Sequence, residues 1–385
     1  MGRGGSRRRT SLAEPPPLSE PASEPVSDRT PIFGLLPEDL CRHLEAHGVR
    51  AELSDARRIL SFAVSHGRRD WRAMRHLRRE VRAVLEATIA LDRPEVVERV
   101  EDPADGFVKY LLRAPDGALS EAVRIPLHKP GRYSVCLSSQ VGCAMQCVFC
   151  ATGRLGLSRH LSAAEMVAAW RTVQDDTRED TQEDTPDGRV GSAVFMGQGE
   201  PFHNYDAVIR AAQILSHPNG GRIAQRSITI STVGLVPQIR RFTQEGHKFR
   251  LFVSLTSADE DQRRALLPVA GRFALEDLAD ALRAHHRATG HPITLAWVVL
   301  GGVNAAPADA ERIRAFLPDV PVIVNLIDVN DARPDGFRRA TGPELEGFRD
   351  ALAAAGLAFR RRYSGGQAKH AACGMLASSV ASRGA

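Results

Sequence analysis

The stretch Cys143-Ala-Met-Gln-Cys147-Val-Phe-Cys150 decides how the rest of the chain is interpreted. Its thiols have C-x₃-C-x₂-C spacing, which is too close for them to hold separate elements of a fold. A 4Fe–4S cluster contains four irons and is held by cysteine thiolates. Three ligands from one loop therefore leave one iron without a nearby protein ligand. That iron can chelate a small molecule through an amine and a carboxylate, and S-adenosylmethionine (SAM) carries both.

The spacing of the three thiols also leaves two simpler arrangements open. One is a zinc site completed by a fourth thiol, although zinc motifs usually show paired C-x₂-C units. The second is a set of three unrelated buried thiols. The remaining cysteines of the chain are Cys41, Cys136 and Cys373. The clustering of cysteines favours metal chemistry in a reducing compartment over a disulfide scaffold.

Composition limits the class of protein. The chain has 385 residues and is 43% hydrophobic, enough for one large domain and a small one. It contains no run of 18 apolar residues, and its N-terminus has no apolar signal core, so we expect a cytoplasmic protein without membrane contact. The net charge is +5, and residues 174–187 contribute −6, so the rest carries +5 − (−6) = +11. This balance suits RNA as a partner, or simply a basic soluble protein.

Three segments are predicted along the chain. Residues 1–30 are rich in Arg, Pro, Ser and Glu and are expected to form a disordered tail. Residues 31–105 are predicted to form a small helical accessory domain, in which the segment 71–85 combines helical apolar spacing with arginines that could contact RNA phosphates or only solvent. Residues 106–385 are predicted to form the catalytic domain, beginning with a β-hairpin over 106–126.

From residue 133 onward, strand patterns alternate with helix patterns. The predicted strands are 133–139, 192–197, 227–232, 249–255, 292–300, 321–328 and 357–363. This alternation predicts parallel βα units in an α/β barrel or part of one. Active sites in such folds lie at the C-terminal ends of the strands. The first predicted strand leads into the cysteine loop, and the acidic stretch 174–190 is predicted to be a polar surface loop.

A second motif, Gly197-Gln198-Gly199-Glu200-Pro201, follows the strand that begins near residue 192. Glycine at a strand end lets the backbone approach a ligand closely. Glu200 could accept hydrogen bonds from an ammonium group. The motif alone is weak evidence for a ligand site, because an ordinary turn would account for it equally well. After a cysteine triad it is stronger evidence for a SAM site, because bound SAM presents an ammonium group.

The run Cys136-Leu-Ser-Ser-Gln-Val-Gly-Cys143 and its continuation to Gly153 resemble the RlmN/Cfr family of radical-SAM RNA methyltransferases. The resemblance extends from about residue 31 to about residue 380. It includes Met196-Gly-Gln-Gly-Glu-Pro201, Ile230-Ser-Thr-Val-Gly234, Val253-Ser-Leu255, Asn325-Leu-Ile327 and Ala371-Ala-Cys373-Gly374. It implies a partial (β/α)6 TIM-like radical-SAM barrel with a small N-terminal helical domain and a β-hairpin extension.

The resemblance also implies roles for residues at matching positions. Cys143, Cys147 and Cys150 would hold the 4Fe–4S cluster. The positions that match SAM contacts are Gly199, Glu200, Ser231, Ser254, Leu255, Thr256 and Asn325. Cys373 matches a cysteine that becomes S-methylated, Cys136 matches a resolving cysteine, and Glu121 matches a proton acceptor. Without the resemblance, both cysteines could be buried small hydrophobes and Glu121 an exposed strand carboxylate.

The family chemistry implied for this chain uses two SAM molecules in each turnover. One methylates Cys373, and the second is reduced by the cluster to a 5′-deoxyadenosyl radical, which takes a hydrogen from that methyl group. The carbon radical adds to an adenine carbon, which is too electron-poor for polar methyl transfer. Cys136 then releases the product by forming a disulfide with Cys373, which reductants recycle. An electron donor such as flavodoxin or ferredoxin is implied, and the protein is expected to be a monomer.

The sequence leaves the substrate open. C2 of an adenine in 23S rRNA or tRNA is favoured, with C8 methylation or a radical-SAM reaction on another substrate as alternatives. A non-catalytic iron–sulfur or zinc RNA-binding protein is a further possibility. Three positions depart from the family pattern, namely Gln198 for Met, Val233 for Ser and Thr256 for His. The Asn-Leu-Ile run is in addition followed by Asp328-Val-Asn-Asp331, without the usual Pro-rich loop. The run Arg360-Arg361-Arg362-Tyr363 could guide phosphates, or could protect an edge strand by charge.

Overall fold

The computed structural model describes residues 29–180, 188–330 and 336–361. The strands in these ranges are β1 (Thr30–Pro31), β2 (Ile89–Ala90), β3 (Glu95–Glu101), β4 (Val108–Arg113), β5 (Leu119–Pro126), β6 (Arg132–Leu137), β7 (Gln140–Cys143), β8 (Gly156–His160), β9 (Arg189–Phe195), β10 (Ile228–Thr232), β11 (Arg250–Ser254), β12 (Ile293–Val299), β13 (Val322–Asp328) and β14 (Ala358–Arg361). The helices are α1 (Pro37–Ala46), α2 (Leu53–Leu60), α3 (Arg79–Thr88), α4 (Ala151–Arg154), α5 (Ala163–Glu179), α6 (Tyr205–Ser216), α7 (Val236–Gln244), α8 (Glu260–Leu266), α9 (Leu275–Thr289), α10 (Pro307–Phe316) and α11 (Gly342–Ala354).

A ten-stranded sheet forms the framework, in the order β14-β13-β12-β11-β10-β9-β6-β5-β4-β3. The pairs from β6 through β9 to β14 are all parallel, and helices lie between successive strands from β9 onward. This is the arrangement expected when consecutive βα units are added to one edge of a sheet. The predicted α/β class with a partial TIM-like barrel is therefore confirmed, and each strand predicted from residue 133 onward is present.

The predicted β-hairpin is also present. Strands β4 and β5 pair antiparallel through a turn in which the Ala114 amide donates to the Ala118 carbonyl at 2.9 Å. Strand β3 pairs antiparallel with β4, and β5 pairs antiparallel with β6. The hairpin is thus part of one continuous sheet with the parallel strands. Residues on β5 and β6 are placed by the same hydrogen-bond ladder that positions the barrel strands.

The N-terminal part contains the expected short helices, with two differences. Residues 95–101, predicted to belong to the helical domain, form strand β3 of the large sheet. Residues 71–85 form no continuous helix, because Trp71–Ala73 is a short 3₁₀ turn and α3 begins only at Arg79. The Asp70 carboxylate accepts a hydrogen bond from the Arg72 amide at 2.9 Å, which favours a turn at this point over a continuing helix. Among the helices of the described residues, none has the length and apolar character needed to cross a bilayer.

The prediction of a surface loop over 174–190 is wrong for the residues that the structure describes. Helix α5 begins with a capping box at Ser162 and Glu165 and continues to Glu179, while β9 already begins at Arg189. Residues 181–187 lie outside the described ranges. The helix continues because Val173 and Thr177 are buried, so the acidic residues alternate with residues that face the core.

The acidic end of α5 binds arginines from other parts of the fold. The Asp175 carboxylate pairs with Arg93, which follows the N-terminal helices. Asp176 accepts hydrogen bonds from Arg99 Nε at 3.0 Å and from the Tyr110 hydroxyl at 2.5 Å. Burial and the hydrogen bond to Asp176 raise the pKa of Tyr110. The helix thereby connects the N-terminal helices to strands β3 and β4.

Alternation along the strands separates the two faces of the sheet. Val135 and Leu137 belong to the main hydrophobic core, whereas Cys136 between them packs in a separate small cluster with Phe107 and Val123. Register places Val123 and Val194 opposite Cys136 on the two neighbouring strands. We call the face that carries Cys136, Val123 and Val194 the site face.

Replacing Asp176 by Asn should lower the free energy of unfolding by about 2 kcal/mol, because the buried Arg124 and the half-buried Arg99 lose a charged partner. Urea unfolding of the metal-free protein measures this change. Asp261→Asn is the matched control, because its carboxylate is 93% exposed and pairs only across the surface. A change of about 0.5 kcal/mol or less is expected there. Equal effects of the two substitutions would contradict the connecting role of Asp176.

Candidate active site

The cysteine loop lies between two short antiparallel strands, β7 and β8. The Cys150 amide donates to the Cys147 carbonyl at 3.1 Å, so the last two cysteines bracket one tight turn. The Val148 amide donates to the Leu266 carbonyl of α8 at 3.1 Å, which holds this turn against the barrel. Cys143, Cys147 and Cys150 line a single cavity at the C-terminal ends of the barrel strands.

The chemistry of these thiols fits a bound metal cluster. Burial raises the pKa of Cys143 to about 12 and raises the pKa of Cys147, and the neighbouring cysteines raise both further. Such thiols keep their protons until a metal displaces them. In the described part of the chain, no three His, Cys, Asp or Glu side chains form a group suited to one metal ion. A 4Fe–4S cube differs from a single ion because each thiolate binds a different iron.

Glu200 lies at the wall of the same cavity and is buried. Its carboxylate accepts hydrogen bonds from the Phe202 amide at 3.0 Å and the Val233 amide at 2.9 Å. Burial raises the pKa of Glu200 to about 7, although the Thr232 hydroxyl and these two amides lower it in part. A buried carboxylate next to a cavity can accept hydrogen bonds from a cationic group of a ligand.

Gln140 connects the Glu200 loop to the cysteine loop. Its Oε1 accepts a hydrogen bond from the Glu200 amide at 2.8 Å, and its Nε2 lies 2.9 Å from His160 Nδ1 and 3.2 Å from His203 Nδ1. Gly199 has φ of +98°, and a Cβ there would lie 2.6 Å from the Gln140 side chain. Only glycine therefore allows this close approach. The sequence prediction missed Gln140, because a neutral side chain before Cys143 carries no signal of its own.

The predicted SAM contacts divide into two groups in the structure. Gly199, Glu200, Ser231 and Ser254 line the cavity. Leu255 and Thr256 are buried and Asn325 is half-buried, and these three are outside the cavity wall. Asn325 lies beside Ala296 in the ladder, and Ala296 lies beside Ser254.

At the end of β13 and just beyond it, the cavity wall is formed by residues that the sequence prediction did not include. Asp328 and Asn330 line the cavity, and Asp328 Oδ2 accepts a hydrogen bond from Arg361 at 2.9 Å. The resemblance predicted a SAM contact at Asn325, three residues before Asp328. The polar residues just beyond the strand were detectable as a departure from the family pattern, but the direction of their side chains depends on the neighbouring strand.

The two other predicted catalytic residues that the structure describes, Cys136 and Glu121, lie on the site face. Met196, which lines the cavity, packs against the small cluster that contains Cys136. Val123 is opposite Cys136, and Glu121 is two residues before Val123 on β5. Glu121 and Cys136 are thus diagonal neighbours, a relation that typically separates residues by about 7–8 Å. Cys373 and residues 362–363 of the arginine run lie outside the described residues.

Glu121 is buried, which excludes the alternative of an exposed strand carboxylate. Its Oε1 lies 3.7 Å from Lys109 Nζ, and the Lys109 side chain is also buried. The Ser138 hydroxyl donates to the Glu121 carbonyl at 2.6 Å. A buried carboxylate beside a buried ammonium is a charged pair removed from water, which is uncommon outside functional sites and tightly built ion pairs.

Of the three positions that depart from the family pattern, Val233 lines the cavity, and Gln198 and Thr256 lie outside its wall. Val233 lines the cavity, and its amide rather than its side chain holds Glu200. Gln198 is buried outside the cavity wall, and its carbonyl accepts from the Ser139 amide at 2.8 Å. The Thr256 carbonyl accepts from Asn304 Nδ2 at 2.7 Å, and φ at Thr256 is +56°. Contacts made by the backbone tolerate a change of side chain.

Comparisons with known proteins agree with this geometry. Residues 137–313 match the model of the radical SAM superfamily. A probable RNA methyltransferase of Anaeromyxobacter sp. (strain Fw109-5) is 49% identical over 330 residues, covering 85% of this chain and 94% of that protein. The dual-specificity RNA methyltransferase RlmN of Cereibacter sphaeroides (strain ATCC 17029 / ATH 2.4.9) is 36% identical, covering 94% and 92%. The crystal structure of a radical SAM methyltransferase from Sphaerobacter thermophilus superposes with a TM-score of 0.81 at 36% identity, covering 89% of this chain and 98% of that chain.

The buried carboxyl of Glu200 predicts a pH dependence of stability. Below pH 4.5, the ordinary pKa of this group, the carboxyl is protonated in both the folded and the unfolded protein. Between pH 4.5 and about 7 only the folded protein holds the proton, so stability is lost as the pH rises through this window. Relative to Glu200→Gln, the wild-type metal-free protein should lose about 2–3 kcal/mol of unfolding free energy between pH 5 and pH 8.

Urea unfolding of both proteins at the two pH values measures this difference. The comparison with the Gln variant removes the contributions of His160, His203 and other groups that titrate in the same range in both proteins. Parallel pH profiles for wild type and variant would show that Glu200 is ionised throughout and would contradict the raised pKa.

Proposed function

This chain belongs to the RlmN-type radical-SAM RNA methyltransferases, and from that membership we propose that it methylates C2 of an adenine in 23S rRNA, tRNA or both. It is an S-adenosylmethionine-dependent RNA methyltransferase, and its family uses a 4Fe–4S cluster and SAM. The observation that carries the proposal is that Met196 of the cavity wall packs against the small cluster that contains Cys136, which brings the site face next to the cavity of the three cysteines.

Cys143, Cys147 and Cys150 would hold the cluster, because their thiols line one cavity and no other three cysteines of the chain are as close in sequence. When bound, the cluster supplies the electron with which SAM generates a carbon radical. Glu200 would orient the SAM ammonium group, since its carboxylate is fixed by two backbone amides at the cavity wall. Gly199 would let the backbone approach the ligand, and Ser231 and Ser254 would donate hydrogen bonds from the adjacent strand ends.

Leu255, Thr256 and Asn325 would support SAM binding from behind the cavity wall. Leu255 fixes the end of β11, because its amide donates to the Ala296 carbonyl at 3.0 Å. Asn304 fixes the next residue through the Thr256 carbonyl. Asn325 is the polar residue of β13 nearest to Ser254 in the ladder. Movement of these residues would displace Ser254.

Two cysteines would carry the methyl group and release the product. Cys373 would accept a methyl from one SAM, and a second SAM would activate that methyl for addition to the base, giving two SAM molecules per turnover. The Cys136 thiolate would then attack the Cys373 sulfur, so that the S–C bond to the product breaks as the S–S bond forms. The freed carbon would take up a proton to complete the methyl group, and the single electron that started the radical reaction would be released. A dithiol reductant would return both sulfurs to thiols.

Glu121 would accept the proton that the adenine carbon loses before release. Its position as a diagonal neighbour of Cys136 supports this role, because the proton acceptor and the resolving sulfur must reach the same tethered base. Lys109 balances the charge of the carboxylate in a buried setting. The pair is therefore able to hold an anion on the site face without exposure to water.

Arginines around α3 and on β14 would contact RNA phosphates, and an adenine buried in RNA structure would have to be unstacked to reach the cavity. Flavodoxin or ferredoxin would supply electrons, and the enzyme would act as a monomer in the cytoplasm. The C8 position is the second candidate for methylation. The resemblance supports it because the RlmN/Cfr family methylates adenine carbons.

Mass spectrometry of nucleosides from rRNA and tRNA tests the proposal in a strain that lacks the gene. We expect loss of 2-methyladenosine, restored by the wild-type gene and by Cys41→Ala but by neither Cys373→Ala nor Cys136→Ala. Because Cys136 would release the product, the Cys136→Ala protein should in addition carry covalently attached RNA. Loss of 8-methyladenosine instead would select the second candidate, and an unchanged methyladenosine profile would overturn the proposal.

Replacement of Glu121 by Gln should reduce formation of methyladenosine by about 10²–10⁴-fold, the usual contribution of a proton-transfer group. SAM cleavage by the reduced enzyme should persist, because the radical forms before the proton is lost. Assays of both products with reconstituted enzyme measure the two effects separately. Glu95→Gln is the control, because Glu95 pairs with Arg113 on the exposed part of the same sheet. Equal loss of SAM cleavage and methylation would contradict the assignment.

A further inference from the structure

We propose that Arg263 is a positioning residue of the cofactor pocket, which holds the ends of β10 and β11 in place and supplies a buried positive charge beside Cys147. The inference rests on the proposed function, because it takes Cys147 as a ligand of the cluster. Arg263 lies in α8, outside the cysteine loop and the Glu200 loop, and is 4% exposed.

The hydrogen bonds of Arg263 all end on the two strands that carry the cavity serines. Its Nη1 donates to the Ser254 carbonyl at 3.0 Å and also to the Leu255 carbonyl, and its Nη2 donates to the Val233 carbonyl. Val233 follows β10, and Ser254 ends β11. One side chain thus fixes two neighbouring strand ends at the cavity.

The neighbouring backbone is shaped to admit this guanidinium. Gly234 has φ of +106°, and a Cβ at this position would lie 3.1 Å from Arg263 Nη2. A larger residue would compete for the space beside Val233. At the C-terminal end of α8, the Leu266 carbonyl accepts the hydrogen bond of the Val148 amide, so the helix that carries Arg263 also contacts the cysteine loop.

The guanidinium of Arg263 donates its hydrogen bonds to carbonyl oxygens and to no carboxylate among the described residues. Burial lowers the pKa of Arg263 to about 10, while Cys147 and Glu260 raise it, so the guanidinium is charged at neutral pH. A buried cation that donates no hydrogen bond to a carboxylate is unfavourable. A cluster held by three thiolates is an anion of the required sign in the adjacent cavity.

This arrangement has a consequence for reduction of the cluster. Adding one electron makes the cluster more negative, and a fixed cation in a dry site stabilises the more negative state. Removing the charge of Arg263 should therefore make the cluster harder to reduce. A purely structural residue would not have this effect once the protein has folded and bound its cluster.

The test compares reconstituted wild type, Arg263→Gln, Arg263→Lys and Arg264→Gln by redox titration followed by electron paramagnetic resonance. Arg264 is the matched control, because it is the next residue of α8 and its side chain is 44% exposed and pairs with surface carboxylates. For Arg263→Gln we expect a reduced-to-oxidised ratio about tenfold lower at the wild-type midpoint, which is a shift of about −59 mV for one electron. Arg264→Gln and Arg263→Lys should stay close to wild type.

An unchanged midpoint in cluster-loaded Arg263→Gln would overturn the inference. If that variant does not fold, Arg263→Met takes its place, because it removes the charge and keeps an unbranched side chain. A negative shift in Arg263→Met supports the role of the charge, and an unchanged midpoint there overturns it. Failure of the proposed function itself would look different, since Cys147→Ala would then bind the same cluster as wild type.

Discussion

Register across the parallel strands is the constraint on which the rest of the structure depends. Side chains alternate between the two faces of a strand, so a shift of one residue would exchange every core residue with its neighbour on the site face. The ladder from β6 to β13 places Cys136 beside Val194 and Ser254 beside Ala296. The cavity exists because the ends of β9 to β13 reach the same level and each contributes residues to its wall.

Buried charged and polar side chains hold the site in place at these strand ends. Gln140 fixes the Glu200 amide, two amides fix the Glu200 carboxylate, and Arg263 fixes the carbonyls of the next two strand ends. Each of these side chains is buried, so each hydrogen bond is formed without competition from water. The result is a preorganised cavity whose walls do not have to rearrange when a ligand binds.

Much of the fold and part of the candidate site could be predicted from the sequence. The βα order, the hairpin and the three-cysteine loop follow from local periodicity and spacing, which neighbouring residues in the chain determine. The helical continuation of the acidic segment was missed, because the pairing of Asp176 with Arg99 and Tyr110 depends on residues more than sixty positions away. The roles of Gln140 and Arg263 were missed because their hydrogen-bond partners lie on other elements, and nothing in the local sequence marks either side chain. Side-chain direction at Asp328 likewise depends on Arg361 on the adjacent strand.

The ion pairs at the acidic end of α5 determine which arginines remain available to a polyanion. Arg99 and Arg124 add to the formal charge, but carboxylates of the same protein already neutralise them. Arg72, Arg75 and Arg79, before and at the start of α3, are exposed, and no carboxylate pairs with them in the part of the chain that the structure describes, whereas Arg78 between them pairs with Glu80. The positive electrostatic potential is therefore concentrated near α3 more strongly than the number of arginines in the chain indicates. A nucleic acid approaching from a distance would be turned toward one side of the protein before any specific contact forms.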